Sequence, residues 1–235
     1  MIPWLTDRPF FPPVEQALVE PNGLLAAGGR LTPEWLLAAY QRGIFPWYSA
    51  GEPLLWWSPN PRLILEPAAI RITRSLRKTL RSERFEVRLD TVFETVLREC
   101  AAPREPGGGT WITPEMQAAY CRMHELGYAH SVECWRDGKL VGGLYGMALG
   151  RAFFGESMFS RESDASKVAL AHLARFLERR EYAVIDCQMT TAHLLSMGAR
   201  EVPRREFCAG LARWTHEGEP PARWNNEALV DIDWT

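Results

Sequence analysis

The stretch from His130 to Phe159 constrains the fold more than any other part of this chain. Its apolar residues follow the two-residue period of strands in HSVECW, KLVGGLYGMA and RAFFGESMF, with turn signals at Asp137-Gly138 and near Leu149-Gly150 between them. Three such runs joined by tight turns predict an antiparallel meander with at least one buried face. The period then lengthens, and residues 163–180 carry Ala169, Leu170, Leu173, Phe176 and Leu177 on one helical stripe. Residues 183–188 (AVIDCQ) return to a strand, followed by a helix ending at Gly198 and a last helix from about Pro203 to Trp214.

Upstream of the meander the pattern is looser. The first sixty residues are rich in Trp, Pro and Gly, and Thr32-Pro33-Glu34 opens a helix through Tyr40, with Thr as N-cap and Pro in the first turn. The run PNPRLILEP, residues 59–67, sets three prolines around a short strand-like segment and marks the expected boundary. The prediction is therefore a small N-terminal α+β domain, residues 1–60, and a larger mixed α+β domain, residues 61–235. Residues 71–84 read as a helix with Ile72, Leu76 and Leu80 on one side and Arg71, Arg74, Arg77, Lys78, Arg81 and Arg84 on the other. A second amphipathic helix is expected over residues 90–101, then a flexible loop at Gly107 to Gly109 and a helix opened by Thr113-Pro114.

Side chains alternate across a strand, so Phe154, Glu156 and Met158 are expected on one face, and Val184, Asp186 and Gln188 on one face of the later strand. If the two faces meet, Glu156, Asp186 and Gln188 converge. Two carboxylates and an amide among apolar residues suit a cationic ligand, because buried charge needs a partner. The plainer reading is a structural network in which the carboxylates pair with Lys167 or buried arginines, and the sequence leaves both open. The basic stripe on residues 71–84 repels itself unless it meets phosphates, and aromatics such as Trp47, Tyr48, Trp56, Trp57 and Trp111 offer either core or stacking surface for an unpaired base.

Composition closes several alternatives. The formal net charge of −2 confines any nucleic-acid contact to a local patch. Five widely spaced cysteines without a CxxC pair, and five histidines without ligand spacing, argue against a disulfide framework and against a metal site; His124, His130, His172 and His193 read as packing or surface residues. No apolar run of about 18 residues and no leader pattern appear, so a cytoplasmic location and no membrane contact are expected. The absence of coiled-coil heptads favours a monomer.

Taken together, NGLLAAGG, AAYQRGIFPWY, LLWWSPNPR, TWITPEM, AHSVECW, LVGGLYG, FFGESMFSR, ASKVAL, IDCQMTTAH, SMGA and PRREF resemble one family, the leucyl/phenylalanyl-tRNA–protein transferases, over residues 21–207. The resemblance implies an enzyme that takes Leu, Phe or Met from aminoacyl-tRNA and joins it to the N-terminal Arg or Lys of a protein, marking that protein for degradation. It implies a catalytic domain similar to the GNAT acyltransferases, no cofactor, and a reaction centre at Glu156, Asp186 and Gln188. It also assigns the tRNA 3′-adenosine to Tyr40, Trp47 and Trp111, and the tRNA backbone to the helix bearing Arg74, Arg77, Lys78 and Arg81. The donor side chain falls to Leu144, Met158, Leu170, Leu173, Leu177 and Ile185. Strict alternation sets Ile185 opposite Asp186, so Ile185 reaches that pocket only if the strand is twisted or splayed.

In this reading Gln188 orients the acceptor amine or donates to the developing oxyanion, Asp186 holds Gln188, and Glu156 binds an ammonium, with the paired carboxylates selecting Arg or Lys. No glycine-rich pyrophosphate loop precedes the long helix, where Ser160-Arg161-Glu162-Ser163-Asp164-Ala165-Ser166 stands instead, so acyl-CoA is not expected. The alternatives are a CoA-dependent N-acyltransferase of similar fold and a non-catalytic RNA- or degron-binding module.

Overall fold

The structure is a computed structural model that describes residues 2–102, 110–225, 229, 232 and 234. In chain order the strands and helices are β1 (Trp4–Leu5), β2 (Leu24–Gly28), α1 (Pro33–Tyr40), β3 (Phe45–Pro46), β4 (Leu55–Trp57), β5 (Arg62–Leu65), α2 (Arg74–Arg81), β6 (Glu86–Leu89) and α3 (Phe93–Ala101). They continue with α4 (Pro114–Glu125), β7 (Ala129–Arg136), β8 (Lys139–Leu149), β9 (Ala152–Ser160), α5 (Ala165–Arg179), β10 (Val184–Gln188), α6 (Ala192–Ser196), β11 (Arg200–Val202) and α7 (Arg204–Trp214).

Two sheets result, a four-stranded one ordered β1-β2-β4-β3 and a seven-stranded one ordered β11-β5-β10-β9-β8-β7-β6. The meander expected over residues 130–159 is the β7-β8-β9 run, antiparallel throughout. Within the larger sheet only β9 and β10 run parallel, because α5 carries the chain back across the sheet between them.

Each face of that sheet is covered. On one side the Ala- and Leu-rich stripe of α5 packs with Leu63, Leu65, Leu144, Phe153 and Ile185. On the other, α3, α4 and the N-terminal elements bury Trp35, Trp56, Tyr120, Tyr145 and Phe154 in a second cluster. The chain leaves the smaller sheet at Trp57 and enters the larger at Arg62, and this second cluster contains residues from both sheets.

Local chemistry sets the helix ends. Thr113 accepts the Met116 amide at 3.3 Å and Pro114 follows it, so α4 begins where the Thr-Pro signal lies. Thr73 does the same for α2, accepting the Leu76 amide at 3.2 Å, and the helix spans Arg74–Arg81 instead of the expected residues 71–84. Arg71 and Arg84 therefore lie outside it: the Arg71 amide bonds Met197, and the Arg84 guanidinium donates to the Ser163 carbonyl at 2.6 Å. The helix expected over residues 90–101 starts at Phe93, since residues 86–89 form the edge strand β6 against β7. The expected loop at Gly107 to Gly109 lies outside the described residues.

Candidate functional site

Parallel pairing of β9 and β10 stops at Asp186 opposite Phe154. Just beyond, each strand carries an extra residue against its other neighbour. Gly155 faces Gly146 and Ser157 faces Tyr145, so Glu156 is the unpaired residue of a bulge on β9. Asp186 faces Ile64 and Gln188 faces Leu63, so Cys187 is bulged on β10, and Gln188 takes a left-handed φ of 61°. A glycine is needed at 146, because a Cβ there would strike the Phe154 carbonyl and the Phe153 ring. The two strands splay, and a cavity of about 360 Å³ opens between them.

The bulge revises the expected alternation. Phe154 and Glu156 stay on the α4 side, whereas Met158, opposite Leu144, faces α5. The same splay resolves the conflict at Ile185. It points toward α5, away from Asp186, yet lines the cavity because the opening passes between the strands.

Leu144, Met158, Leu170, Leu173 and Ile185 form the apolar wall, together with Phe153, which sequence reasoning did not single out. Leu177 does not line it: that side chain is fully buried in the core one helical turn beyond Leu173. Trp47 and Trp111 stand at the wall, and Trp47 remains 37% exposed with its ring edge-on to Trp57 at 5.3 Å. Tyr40 is a correction. It is fully buried against Phe154, offers no ring face to a base, and turns its hydroxyl onto Glu156 instead.

The polar group is assembled as follows. Glu156 Oε1 accepts from the Tyr40 hydroxyl at 2.6 Å and from Gln188 Nε2 at 3.0 Å, and its Oε2 accepts from the Tyr120 hydroxyl at 3.0 Å. The two tyrosine oxygens are 2.5 Å apart. Asp186 Oδ1 accepts the Gln188 backbone amide at 2.9 Å, fixing the left-handed turn. Asp186 thus holds Gln188 through its main chain, and Glu156 holds it through the side chain.

Asp186 itself is fully buried and does not line the cavity. Its carboxylate is gripped on both oxygens by Arg62, Nε at 2.7 Å and Nη2 at 2.6 Å, and Arg62 also donates to the Gly43 carbonyl at 3.1 Å. The guanidinium lies between the rings of Phe45 and Phe207, at 4.9 and 4.8 Å. The expectation of two carboxylates free for a substrate cation is therefore overturned: one is already neutralised inside the protein. Of the partners considered for a structural network, an arginine is found, while Lys167 pairs with Asp164 at 3.0 Å.

Glu156 is the carboxylate left on the cavity wall. Burial pushes its carboxyl up to about 7, the Tyr40 and Tyr120 hydroxyls pull against this, and the nearby Asp186 charge adds to the rise. Burial likewise raises the phenols of Tyr40 and Tyr120 well above their usual range, so both remain neutral donors.

Arg74, Arg77, Lys78 and Arg81 line the exposed side of α2, away from the cavity; the first three form no ion pair with a described residue, and Arg81 Nε donates to the Trp234 carbonyl at 3.2 Å. Arg62, Tyr120 and His193 were missed as site residues. Arg62 had a signal, a charge one alternation from Ile64 in an otherwise apolar strand facing Asp186. Tyr120 had only its place on the buried stripe of α4. His193, read as packing or surface, is half-buried on the cavity wall. Among the described residues no group of His, Cys, Asp or Glu is placed to hold a metal ion, and no helix is long and apolar enough to cross a membrane.

A solved GCN5-related N-acetyltransferase from Kribbella flavida matches at 11% identity and a TM-score of 0.37, covering 72% of this chain and 60% of that one. Curated relatives match far more closely. The leucyl/phenylalanyl-tRNA–protein transferase of Azoarcus sp. (strain BH72) is 80% identical over 100% of both chains, and that of Aromatoleum aromaticum 71% identical over 99% of this chain and 98% of its own. The family model for leucyl/phenylalanyl-tRNA protein transferase matches residues 64–212, and the model of its N-terminal domain residues 29–60. The bulged strands β9 and β10 fall inside the first match and Trp47 inside the second, and the chain belongs to the leucyl/phenylalanyl-tRNA–protein transferase family.

Proposed function

We propose that this chain transfers Leu, Phe or Met from aminoacyl-tRNA to the N-terminal Arg or Lys of acceptor proteins, forming a peptide bond that marks them for degradation. The observation that carries this reading is the cavity at the splay, apolar on its α5 side and edged by Glu156 and Gln188. A cavity of about 360 Å³ is at the small end of ligand sites, which run from about 300 to 1,000 Å³, and fits an aminoacyl group. Leu144, Met158, Leu170, Leu173 and Ile185 take the donor side chain, and Leu177 supports them from behind. Trp47 and Trp111 hold the terminal adenosine, and Arg74, Arg77, Lys78 and Arg81 meet the tRNA backbone. Residues 1–60 form the small domain that contributes Trp47.

An aminoacyl ester is already activated, so positioning supplies most of the rate and no covalent intermediate is needed. The acceptor nitrogen attacks the carbonyl carbon, the ester C–O bond breaks, and the ribose oxygen leaves with one of the amine's protons. Gln188 has one Nε2 proton engaged by Glu156; the second points at the developing oxyanion. Asp186 and Arg62 fix Gln188, and Glu156 receives the incoming ammonium. No acyl-CoA is used: at the start of α5 the Ala165 amide bonds Glu162 and the Ser166 amide bonds Ser160 Oγ, leaving fewer donors for a pyrophosphate. The protein acts as a cytoplasmic monomer without a cofactor.

Incubation with radiolabelled leucyl-tRNA and a peptide beginning with Arg should move label to the peptide, and a peptide beginning with Asp should stay unlabelled. Label on neither peptide, with tight acetyl-CoA binding by calorimetry, would turn the reading to a CoA-dependent acyltransferase. Capture of tRNA without transfer would leave a binding module.

A further inference from the structure

The Tyr40, Tyr120 and Glu156 side chains make three mutual contacts: Tyr40 hydroxyl to Oε1 at 2.6 Å, Tyr120 hydroxyl to Oε2 at 3.0 Å, and hydroxyl to hydroxyl at 2.5 Å. Each contact needs one proton between its oxygens. Two neutral phenols bring two. With Glu156 ionised, one contact is left as two bare oxygen lone pairs facing each other in a buried site. With Glu156 protonated, the three protons run round the triangle in one direction, Oε2 to Tyr120, Tyr120 to Tyr40, Tyr40 to Oε1, and every contact is satisfied.

We propose that Glu156 is the proton acceptor for the incoming amine, and that Tyr40 and Tyr120 are positioning residues whose hydroxyls form with it a ring that closes only when Glu156 takes up a proton. The proposal rests on the transfer reading and supplies its proton route. An ammonium enters beside the ionised carboxylate and gives it one proton, becoming a neutral nucleophile. After attack, the nitrogen's second departing proton leaves with the ribose oxygen. Ammonium, carboxylate and ester become amide, alcohol and carboxylic acid, and Glu156 later returns its proton to solvent.

The match of basicities supports the assignment. Burial holds the carboxyl at about 7, close to the value of about 7.7 to 8 for a free α-amine, so the proton moves without a large uphill step. The charged and titratable groups facing Glu156 are Tyr40 of α1, Tyr120 of α4, Tyr145 of β8, Arg62 of β5 and Asp186 of β10. Arg62 and Asp186 offset one another. The Tyr145 hydroxyl is buried without a partner and stays neutral, raised by burial. Glu156 is thus the group in this cluster free to titrate near neutrality.

Glu156→Gln tests the step, because an amide with its NH₂ toward Tyr120 reproduces the closed ring but accepts no proton. Expected is leucyl-tRNA affinity within about twofold of native and a transfer rate lower by about 10- to 30-fold at pH 6.5, where only a few per cent of a free α-amine is neutral. The deficit should shrink about tenfold per pH unit toward the amine's own pKa, as solvent removes the proton instead. A deficit that is equal at pH 6.5 and 8.5 refutes the proposal. No transfer by the native protein at any pH would instead refute the transferase reading. Infrared spectroscopy gives a readout that packing alone would not move: a carboxylic C=O band at pH 6, absent from Glu156→Gln, that titrates away on raising the pH. In Tyr120→Phe the midpoint of that band should shift; an unchanged midpoint removes Tyr120 from the ring, and no band at pH 6 removes the ring itself.

Discussion

Replacing Asp186 with Asn removes one charge from a pair that is wholly enclosed, and the structure sets the scale of the loss. Both members have side chains fully out of solvent, held by two hydrogen bonds of 2.7 and 2.6 Å. Breaking such a pair from one side leaves an uncompensated buried cation and costs about 3 to 5 kcal/mol. Arg62 keeps its bond to Gly43 and its place between Phe45 and Phe207, which argues for the lower end. For a chain of this size each kcal/mol shifts the midpoint by about 2 to 4 °C, so at about 3 kcal/mol Asp186→Asn should melt about 6 to 12 °C below native. Turnover should fall with it even at temperatures where the variant is folded, because the Asn NH₂ in place of Oδ2 faces the Arg62 Nη2 donor and displaces the side chain whose Oδ1 accepts the Gln188 amide. The double variant Arg62→Met with Asp186→Asn removes both charges and should melt above Asp186→Asn alone. Calorimetric scans of native, both singles and the double close the cycle. Additive losses, with no coupling beyond about 0.5 kcal/mol, would refute the claim that this pair organises the site.

Other expectations follow from the same geometry. Changing Arg74, Arg77 and Lys78 together to Ala should lower affinity for aminoacyl-tRNA and reduce the slope of log affinity against log salt by up to about 3, while an aminoacyl-adenosine donor reacts as before; equal losses with both donors would place the defect in the active site. Leu173→Ala widens the cavity wall and should alter the Phe to Leu preference by about 1 to 3 kcal/mol in kcat/KM, whereas Leu177→Ala, behind the wall, should lower Tm and leave that preference unchanged. Glu156 has a folded-state pKa raised from 4.5 to about 7, so the native protein binds the extra proton and loses stability as pH climbs from 4.5 to 7, by about 3 kcal/mol at most. Thermal scans should accordingly show native and Glu156→Gln diverging above pH 5, with the variant the more stable at pH 8.

Long-period features were legible in the sequence because each rests on local chemistry. The β7-β8-β9 meander, the α5 stripe and the Thr-Pro start of α4 come from alternation, helical spacing and capping, which neighbouring residues decide. What alternation alone does not encode is an extra residue. The bulges at Glu156 and Cys187 depend on how β9 and β10 meet β8 and β5, so Met158 was expected on the wrong face and Ile185 stood in apparent conflict. Convergence of Glu156 and Gln188 was nonetheless legible, since both lie within two residues of the last paired position, Asp186 opposite Phe154. The pairing of Asp186 with Arg62 spans 124 residues of sequence: the lone charge in the apolar run of β5 calls for a buried partner, but only the pairing of β5 with β10 decides which one. Tyr40 misled for a related reason: an aromatic in a Trp- and Pro-rich unit resembles a stacking platform until packing between α1, α4 and β9 encloses it.

The account stands on Gln188 and Glu156 acting together at the splay of β9 and β10. Its most direct test is single-turnover transfer of labelled leucine to an Arg-terminated peptide, native against Gln188→Ala, with leucyl-tRNA saturating both. Loss of the oxyanion donor should slow the chemical step by about 10² to 10³ while donor affinity is kept. A rate within about threefold of native would contradict the account, because a site built around that amide cannot lose it and continue to turn over.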